Sequence, residues 1–349
     1  MVFPGALTGT IAPYSGRTNV CAFSPQSFPY PWFTRASIGY DWGAKLKRAG
    51  YDGLVVTGAS ETPVHITIQD DEVRILPAGD GAPDALWGLD TIETQEVIQA
   101  AYGKAARSLT IGPAGERLSR IATVHTATSS VAGQGGLGAV MGSKKLKAIT
   151  VCASGRVPVA DRDRLQGLFK AVGQEVGRHR RARRRLEMLN KRLEEEGGGR
   201  ARLFACTASC PTPCHIQFDG VQGCHFDRKW SGAMVCVSGL FGGASRPISA
   251  YDWSLGLRGG FELNMYANRL GLNHWEILIG MVPWLRACNR QGALDEVNGH
   301  AFDLNDVDFW VALLHAMAHR EGVGDALAEG GWRAAYNLNL RPDLMRRYY

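Results

Sequence analysis

No segment of this chain approaches the ~20 uninterrupted apolar residues that a membrane-spanning helix needs. The opening Met1–Pro13 stretch lacks the basic start of a secretory leader, so the expectations are a cytoplasmic location and no membrane partner. No G-x4-G-K-[ST] phosphate loop occurs, and no C-x3-C-x2-C of the radical enzymes that use S-adenosylmethionine. Internal repeats and long low-complexity tracts are also missing. Cysteine is sparse, eight in 349 residues, and three of the eight fall between positions 206 and 214. That usage points to metal ligation in a reducing compartment rather than to a secreted disulfide framework.

The hydrophobic content of 45% is enough for a substantial core, in two domains or one large one. The formal net charge of +6 owes much to one run, Arg178 to Arg185. Leu186, Leu189 and Leu193 follow at helical spacing and then Glu194–Glu196, which reads as a solvated amphipathic helix. No aromatic residues interleave with the arginines, so no nucleic-acid partner is expected.

Residues 1 to 155 are rich in glycine, proline and β-branched residues, with strand-like runs at Gly53–Thr57 and Val64–Ile68. The second run meets Asp70-Asp71 and continues as Val73–Leu76, a hairpin signal. From about 160 the pattern turns helical, over 164–192, 249–270, 274–288, 306–320 and 323–337. Gly197-Gly198-Gly199 reads as a hinge before the cysteine loop. The expected class is α+β: a strand-rich domain over 1–155, then an all-helical domain over 156–349 that carries the cysteine loop.

In that loop Cys206, Cys210 and Cys214 stand four residues apart, and Pro211 and Pro213 forbid a regular helix. A proline-stiffened loop suits thiolates converging on a cubane iron-sulfur cluster. The same thiolates suit zinc, with His215, Cys224 or His225 as fourth ligand. Gly133-Gln134-Gly135-Gly136 begins a second loop that continues through Gly138 and Gly142 to Lys144, Lys145 and Lys147. It lets backbone approach an anionic ligand closely, or it supplies tight turns in a strand-rich domain.

Several ordered segments resemble the aldehyde ferredoxin oxidoreductase family. They are Gly5–Thr10, Ser15–Arg17, Leu46–Gly53, Ile111–Glu116, Gly135–Lys144, Cys210–Cys214, Asn268–Asn273 and Gly322–Leu327. The resemblance implies a strand-rich base on which two pterin dithiolenes hold tungsten or molybdenum, covered by helical domains, with a [4Fe-4S] cluster beside one pterin. It implies oxidation of an aldehyde or related carbonyl to a carboxylic acid, with electrons leaving to ferredoxin or another electron-transfer subunit. By position Ser37, Gly39, Ala132, Gly133, Gly135 and Gly136 would face pterin phosphates. Arg17 would lie between pterin and cluster, and Cys206, Cys210 and Cys214 would be cluster ligands with the fourth outside this chain. Both ends read as short for the family, which implies a fragment, a completing subunit or a chain without its own chemistry; a homodimer is the other assembly expected.

The chain also departs from the family pattern. Its first two cluster cysteines are normally C-x2-C, whereas Cys206 and Cys210 enclose three residues, and Gln134 stands where an arginine is common. The pterin motif D-x-x-G-L-D is here Asn268-x-x-Gly271-Leu272-Asn273, amides in place of carboxylates, which keeps an acceptor oxygen without its charge. The same residues also read as a helix end at Gly271 and a capping box of Asn273 with Glu276. The glutamate of aldehyde-oxidising members is missing from Gly232–Ser238. Cys236 in that stretch falls near the metal-proximal cysteine of the aryl-CoA reductase branch, and equally suits a buried apolar cysteine.

Overall fold

The computed structural model describes residues 1–83, 85–126, 130–176, 180–207, 209–211, 213, 215–234, 236–243 and 251–348, without the side chains of 180–183, 185 and 236. Three short strands open the chain, β1 (Val2–Pro4), β2 (Thr18–Phe23) and β3 (Phe33–Ile38), in an antiparallel sheet of that order. Helix α1 (Trp42–Arg48) buries Trp42 and Leu46 beneath it, and the Trp42 indole N–H donates to Ile149 O at 2.8 Å.

A six-stranded sheet follows, built from β4 (Val64–Gln69), β5 (Glu72–Pro77), β6 (Arg107–Thr110), β7 (Val124–Thr126), β8 (Ser130–Ala132) and β9 (Leu146–Cys152). Its order is β5-β4-β9-β6-β7-β8; β4 and β9 run parallel and the other neighbours antiparallel. The β4–β5 hairpin is the one its alternation foretold, with Asp70 at φ 51° in the turn. Gly53–Thr57 is not a strand; only Leu54 pairs there, bridging to Val2. Helices α2 (Thr91–Tyr102), α3 (Pro113–Glu116) and α4 (Leu137–Ser143) connect and cover the strands. Asp90 caps α2 by accepting from the N–H groups of Ile92 and Glu93.

The glycine-rich loop therefore stands between strand β8 and helix α4. Gly136 is left-handed at φ 68°, and a Cβ there would come within 2.2 Å of Arg120 O. Gly138 lets α4 press on the chain at 122–123: its Cβ would lie 2.5 Å from Thr123 O.

The later part is largely helical: α5 (Arg162–Val176), α6 (Arg180–Glu196), α7 (Gly256–Leu270), α8 (Val282–Arg290) and α9 (Val307–His319), with α10 (Val323–Ala328) and α11 (Gly331–Asn337) after them. A π-helical turn over Glu276–Met281 leads into α8. In α6 Leu186, Leu189 and Leu193 pack against Phe218, Trp230 and Phe261, so this face is core as its spacing required. One correction applies: this part is not all-helical. It contains a three-stranded antiparallel sheet of β10 (Arg200–Phe204), β11 (His215–Gln222) and β12 (Lys229–Met234), and the cysteine loop is the β10–β11 connection. Gly197, Gly198 and Gly199, all at positive φ, carry the chain from α6 into β10.

Two buried charged groups of this framework are closely matched. Lys147 is fully buried, donates to Leu89 O at 2.6 Å and pairs with Glu116. Glu262 on α7 accepts from the backbone N–H groups of Cys224, His225 and Phe226 and from the Trp230 indole, all within 3.0 Å. Among the described residues no helix is long and apolar enough to cross a membrane.

Candidate active site

Two recesses flank the glycine-rich loop. The first, about 180 Å³, is lined by Arg17, Thr123, Ser130, Gly133, His215, Ser238, Asn264, Asn268, Leu272 and His274 among others. It joins the β1–β3 sheet, the β7–β8 hairpin, the start of β11 and the end of α7. Five residues singled out from the sequence share its wall: Arg17, Gly133, Asn268, Leu272 and, as a candidate zinc ligand, His215. The second, about 350 Å³, opens on the other side of the loop at Gln134 and Gly135, beside Gln26, Glu276 and Arg333.

Gly39 sits where Arg17, the hairpin and the cysteine loop converge. Its N–H donates to Ser130 Oγ at 2.8 Å, and a Cβ there would stand 3.5 Å from Cys206 Cβ and 3.6 Å from Arg17 Nη1. Tyr40 N donates to Cys206 O at 2.6 Å, and Tyr14 N to Ser209 O at 3.0 Å. These bonds hold the cysteine loop against the segments on either side of Arg17. Cys206 and Cys210 are half-buried there. Cys214 lies outside the described residues, as does the side chain of Cys236.

The other singled-out residues have framework positions. Ser37 is exposed on β3, donates to Asn19 Oδ1 at 2.9 Å and lines neither recess. Ala132 is buried in β8. Gly271, at φ 80°, ends α7, so the helix-end reading holds. The capping box does not form: Asn273 Oδ1 accepts from Trp275 N and Glu276 N, but the Glu276 carboxylate turns instead to Gln26 Nε2 and Gly331 N, each at 2.7 Å.

Sequence reasoning passed over Gln26. Its Oε1 accepts from Gly135 N at 3.0 Å and Asn273 Nδ2 at 3.4 Å, so one side chain ties the glycine loop to the amide motif. Backbone carbonyls around it are gripped by Arg120 at Pro25 and by Arg333 at Gln26. Also missed were Ser238 and His274, whose Oγ and Nδ1 pair at 2.9 Å. Burial pushes the His274 imidazole down to about 4. Burial, and secondarily His274, push His125 behind it to about 3. Burial and then the Arg17 charge lower His215. The recess thus combines one fixed cation with neutral imidazoles and amides, and none of the described residues lining it is a carboxylate.

That donor set fits an anionic, hydrogen-bonding group. At Gly133 the Cβ direction is open, the nearest atom being Val131 Cγ1 at 3.9 Å, so the loop backbone can be approached. The Nε2 of His274 is buried with no hydrogen-bond partner among the described residues. Of the three fourth ligands weighed for zinc, His215 adjoins the cysteine loop at the start of β11. Cys224 and His225 lie past the far end of the eight-residue strand β11 from the cysteine loop, about 25 Å at ~3.3 Å per residue. Among the described residues no group of three His, Cys, Asp or Glu side chains could hold a metal ion, and Cys214 is outside that set.

Two family models match along the chain. Residues 1–153 match the family model "Aldehyde ferredoxin oxidoreductase, N-terminal domain", and residues 186–346 match "domains 2 & 3" of the same family. The chain is 31% identical to the tungsten-containing aldehyde ferredoxin oxidoreductase of Pyrococcus furiosus over 96% of its own length and 58% of that protein's. With the Thermococcus kodakarensis protein of the same name it shares 46% identity over 165 residues, 47% of this chain and 26% of that one. The chain therefore spans well under two thirds of these relatives. Among solved structures, the active site complex BamBC of benzoyl coenzyme A reductase with 1,5 dienoyl-CoA superposes with a TM-score of 0.79 at 23% identity. That match covers 99% of this chain and 56% of the other and shows a shared fold. With both family models in order along the chain, this protein belongs to the aldehyde ferredoxin oxidoreductase family.

Proposed function

We propose that this chain is the cofactor-holding part of a tungsten- or molybdenum-pterin oxidoreductase that oxidises an aldehyde to a carboxylic acid and passes the electrons through [4Fe-4S] to ferredoxin or another electron-transfer subunit. The observation that carries the reading is the convergence of Arg17, Gly133, Asn268 and Leu272 on one recess beside the cysteine loop. The pterin-held metal would supply two-electron redox chemistry at the substrate carbon, and the protein supplies binding, orientation and electrostatics.

Arg17 offers a cation to pterin phosphate or to charge relayed toward the cluster. The open backbone at Gly133 and the side-chain oxygen of Asn268 offer hydrogen bonds to the pterin edge and phosphates, with Asn273 bracing the glycine loop through Gln26. Gln26 keeps the glycine loop and the amide motif in register. Cys206, Cys210 and Cys214 are the cluster ligands in this reading, with the fourth supplied from outside this chain. The division near residue 155 then separates the pterin base from the helical cover.

One observation favours a second reading, an aryl-CoA reductase-like tungsten subunit completed by a partner. No carboxylate stands among the described residues of the recess where aldehyde oxidation would use one. The fold likeness to BamBC supports it too. The deciding experiment assays the anaerobically purified assembly with acetaldehyde and a viologen acceptor, and separately with an aryl-CoA thioester and a low-potential donor. Turnover of acetaldehyde alone supports the first reading, turnover of the thioester alone the second. Turnover of neither by metal-loaded protein rejects both.

A further inference from the structure

Helix α5 (Arg162–Val176) starts after Asp161, whose carboxylate accepts from Arg164 N at 2.9 Å as a cap. Its apolar residues Leu165, Leu168, Phe169, Val172 and Val176 recur every three or four positions, the spacing of a face that packs against a core. Yet no residue of α5 is buried, and Leu168 and Val176 are 53% and 49% exposed. A helix of 15 residues gains little from propensity alone, so this stripe calls for a cover that the described residues do not give it.

The start of the same helix forms one wall of a groove of about 710 Å³. Ile11, Val157 and Leu165 belong to its apolar lining, and Arg48, Arg156 and Arg162 stand against a single carboxylate, Asp163. The three arginines are exposed, and among the described residues none of them forms an ion pair. An apolar floor under a basic rim complements an apolar contact ringed by carboxylates.

Both walls of the groove lead to the cysteine loop. Along α5, a Cβ at Gly173 would stand 3.8 Å from the Cβ of Pro211, the residue after Cys210. Leu165 in the groove and Gly173 at the loop are about 12 Å apart, at ~1.5 Å per helical residue. On the other wall Gly9, Thr10 and Ile11 run on to Tyr14, whose N–H holds the loop at Ser209 O. Anything seated on the groove and the stripe therefore lies beside the cysteines.

We propose that the groove and the α5 stripe are the docking surface for an acidic electron-transfer protein, which exchanges electrons with the site through the cysteine loop. The proposal rests on the oxidoreductase reading above, which needs an acceptor and gives it no surface. Oxidation of one aldehyde with one water to its carboxylic acid releases two electrons and two protons. The electrons cross this surface one at a time to reduce two one-electron acceptors, and the protons pass to water.

The test compares anaerobically purified wild-type, Arg156→Glu/Arg162→Glu and Leu168→Ser assemblies, with a small acidic [4Fe-4S] ferredoxin as the probe. All three positions are exposed, so the urea midpoint should not move. By calorimetry the double charge reversal should weaken ferredoxin binding at least about 10-fold and Leu168→Ser about threefold, and added salt should weaken binding to the wild type more than to the double variant. With acetaldehyde the double variant's KM for ferredoxin should rise by the same ~10-fold, while turnover with saturating methyl viologen, a small dye that needs no docking surface, stays as in the wild type. Ferredoxin that does not bind the wild type, affinity unchanged in both variants, or viologen turnover lost with it would overturn the proposal. So would a wild-type dimer that Leu168→Ser splits with ferredoxin affinity intact, since a second copy is then the occupant. Metal-loaded wild type that reduces no viologen with acetaldehyde overturns the aldehyde-oxidising reading, and the calorimetric series still decides the docking surface. Viologen turnover with ferredoxin affinity unchanged in the variants overturns this proposal alone.

Discussion

Two kinds of buried polar group occur within a short distance along α7 and its neighbours, and they are treated oppositely. Glu262, fully buried, receives four N–H donors, and Lys147 is met by Glu116 and a carbonyl; both are complete within the chain. His274, almost as buried, is met on one nitrogen and left alone on the other. The glycines divide in the same way. Gly138 and Gly142 are filled-in contacts where a Cβ would strike backbone, whereas Gly133 faces space. Glu262 and Lys147 are matched within the fold, whereas His274 Nε2 is not; among the described residues Thr126 Oγ1 and Arg269 Nε, outside the recess lining, are also buried without a hydrogen-bond partner.

The largest effect is expected where the framework pair is broken. Lys147→Met leaves the Glu116 carboxylate buried without its cation and should destabilise the protein by about 3–5 kcal/mol, read by urea denaturation. A loss below about 1 kcal/mol would show that the pair is not part of the framework. Gly138→Ala comes next, since its Cβ must displace backbone at Thr123; about 1–3 kcal/mol is expected from the same measurement.

A smaller effect separates the two classes by pH. His125 and His274 have folded-state values near 3 and 4, below the ordinary 6.5, because burial disfavours their charged forms. The unfolded chain therefore binds protons first as pH falls. Stability is complete above about pH 6.5 and declines toward pH 4, each ring contributing at most about 1.4 kcal/mol per pH unit. In His274→Phe the part of that decline due to these two rings should roughly halve, as read from stability curves at several pH values; an unaltered decline would place His274 outside the dry interior. The smallest effect is Gly133→Ala, where the open Cβ direction predicts a stability change within about 0.5 kcal/mol but lower tungsten occupancy. Large destabilisation there would move Gly133 into the framework class.

Much of the fold was legible because local chemistry and global packing agree. The β4–β5 alternation, the Leu186–Leu193 stripe and the glycine end of α7 each behave as their spacing required. The β10–β12 sheet was not legible, because its central strand contains Asp219-Gly220, ordinarily a turn signal. Here the pairing register shifts between Phe218 and Val221, with Gly220 at φ 68°. Of the site, Gly133 was legible from its glycine-rich loop, whereas Arg17, Asn268 and Leu272 were reached through family resemblance, since no local spacing singles out a lone arginine or amide. Gln26 and His274 were hidden for a different reason. Gln26 lies in an aromatic- and proline-rich loop without periodicity, and its partners, Gly135 and Asn273, are more than a hundred residues away. His274 sits at the start of an apolar run, where a histidine reads as core until its unpaired nitrogen is seen.

The most direct test of the central claim, that this recess and the adjoining cysteine loop hold a pterin-bound metal and a cluster, is elemental analysis of the anaerobically purified assembly. The account predicts tungsten or molybdenum together with about four irons per complete site. A folded preparation with neither metal, or with stoichiometric zinc in a colourless solution, would contradict it.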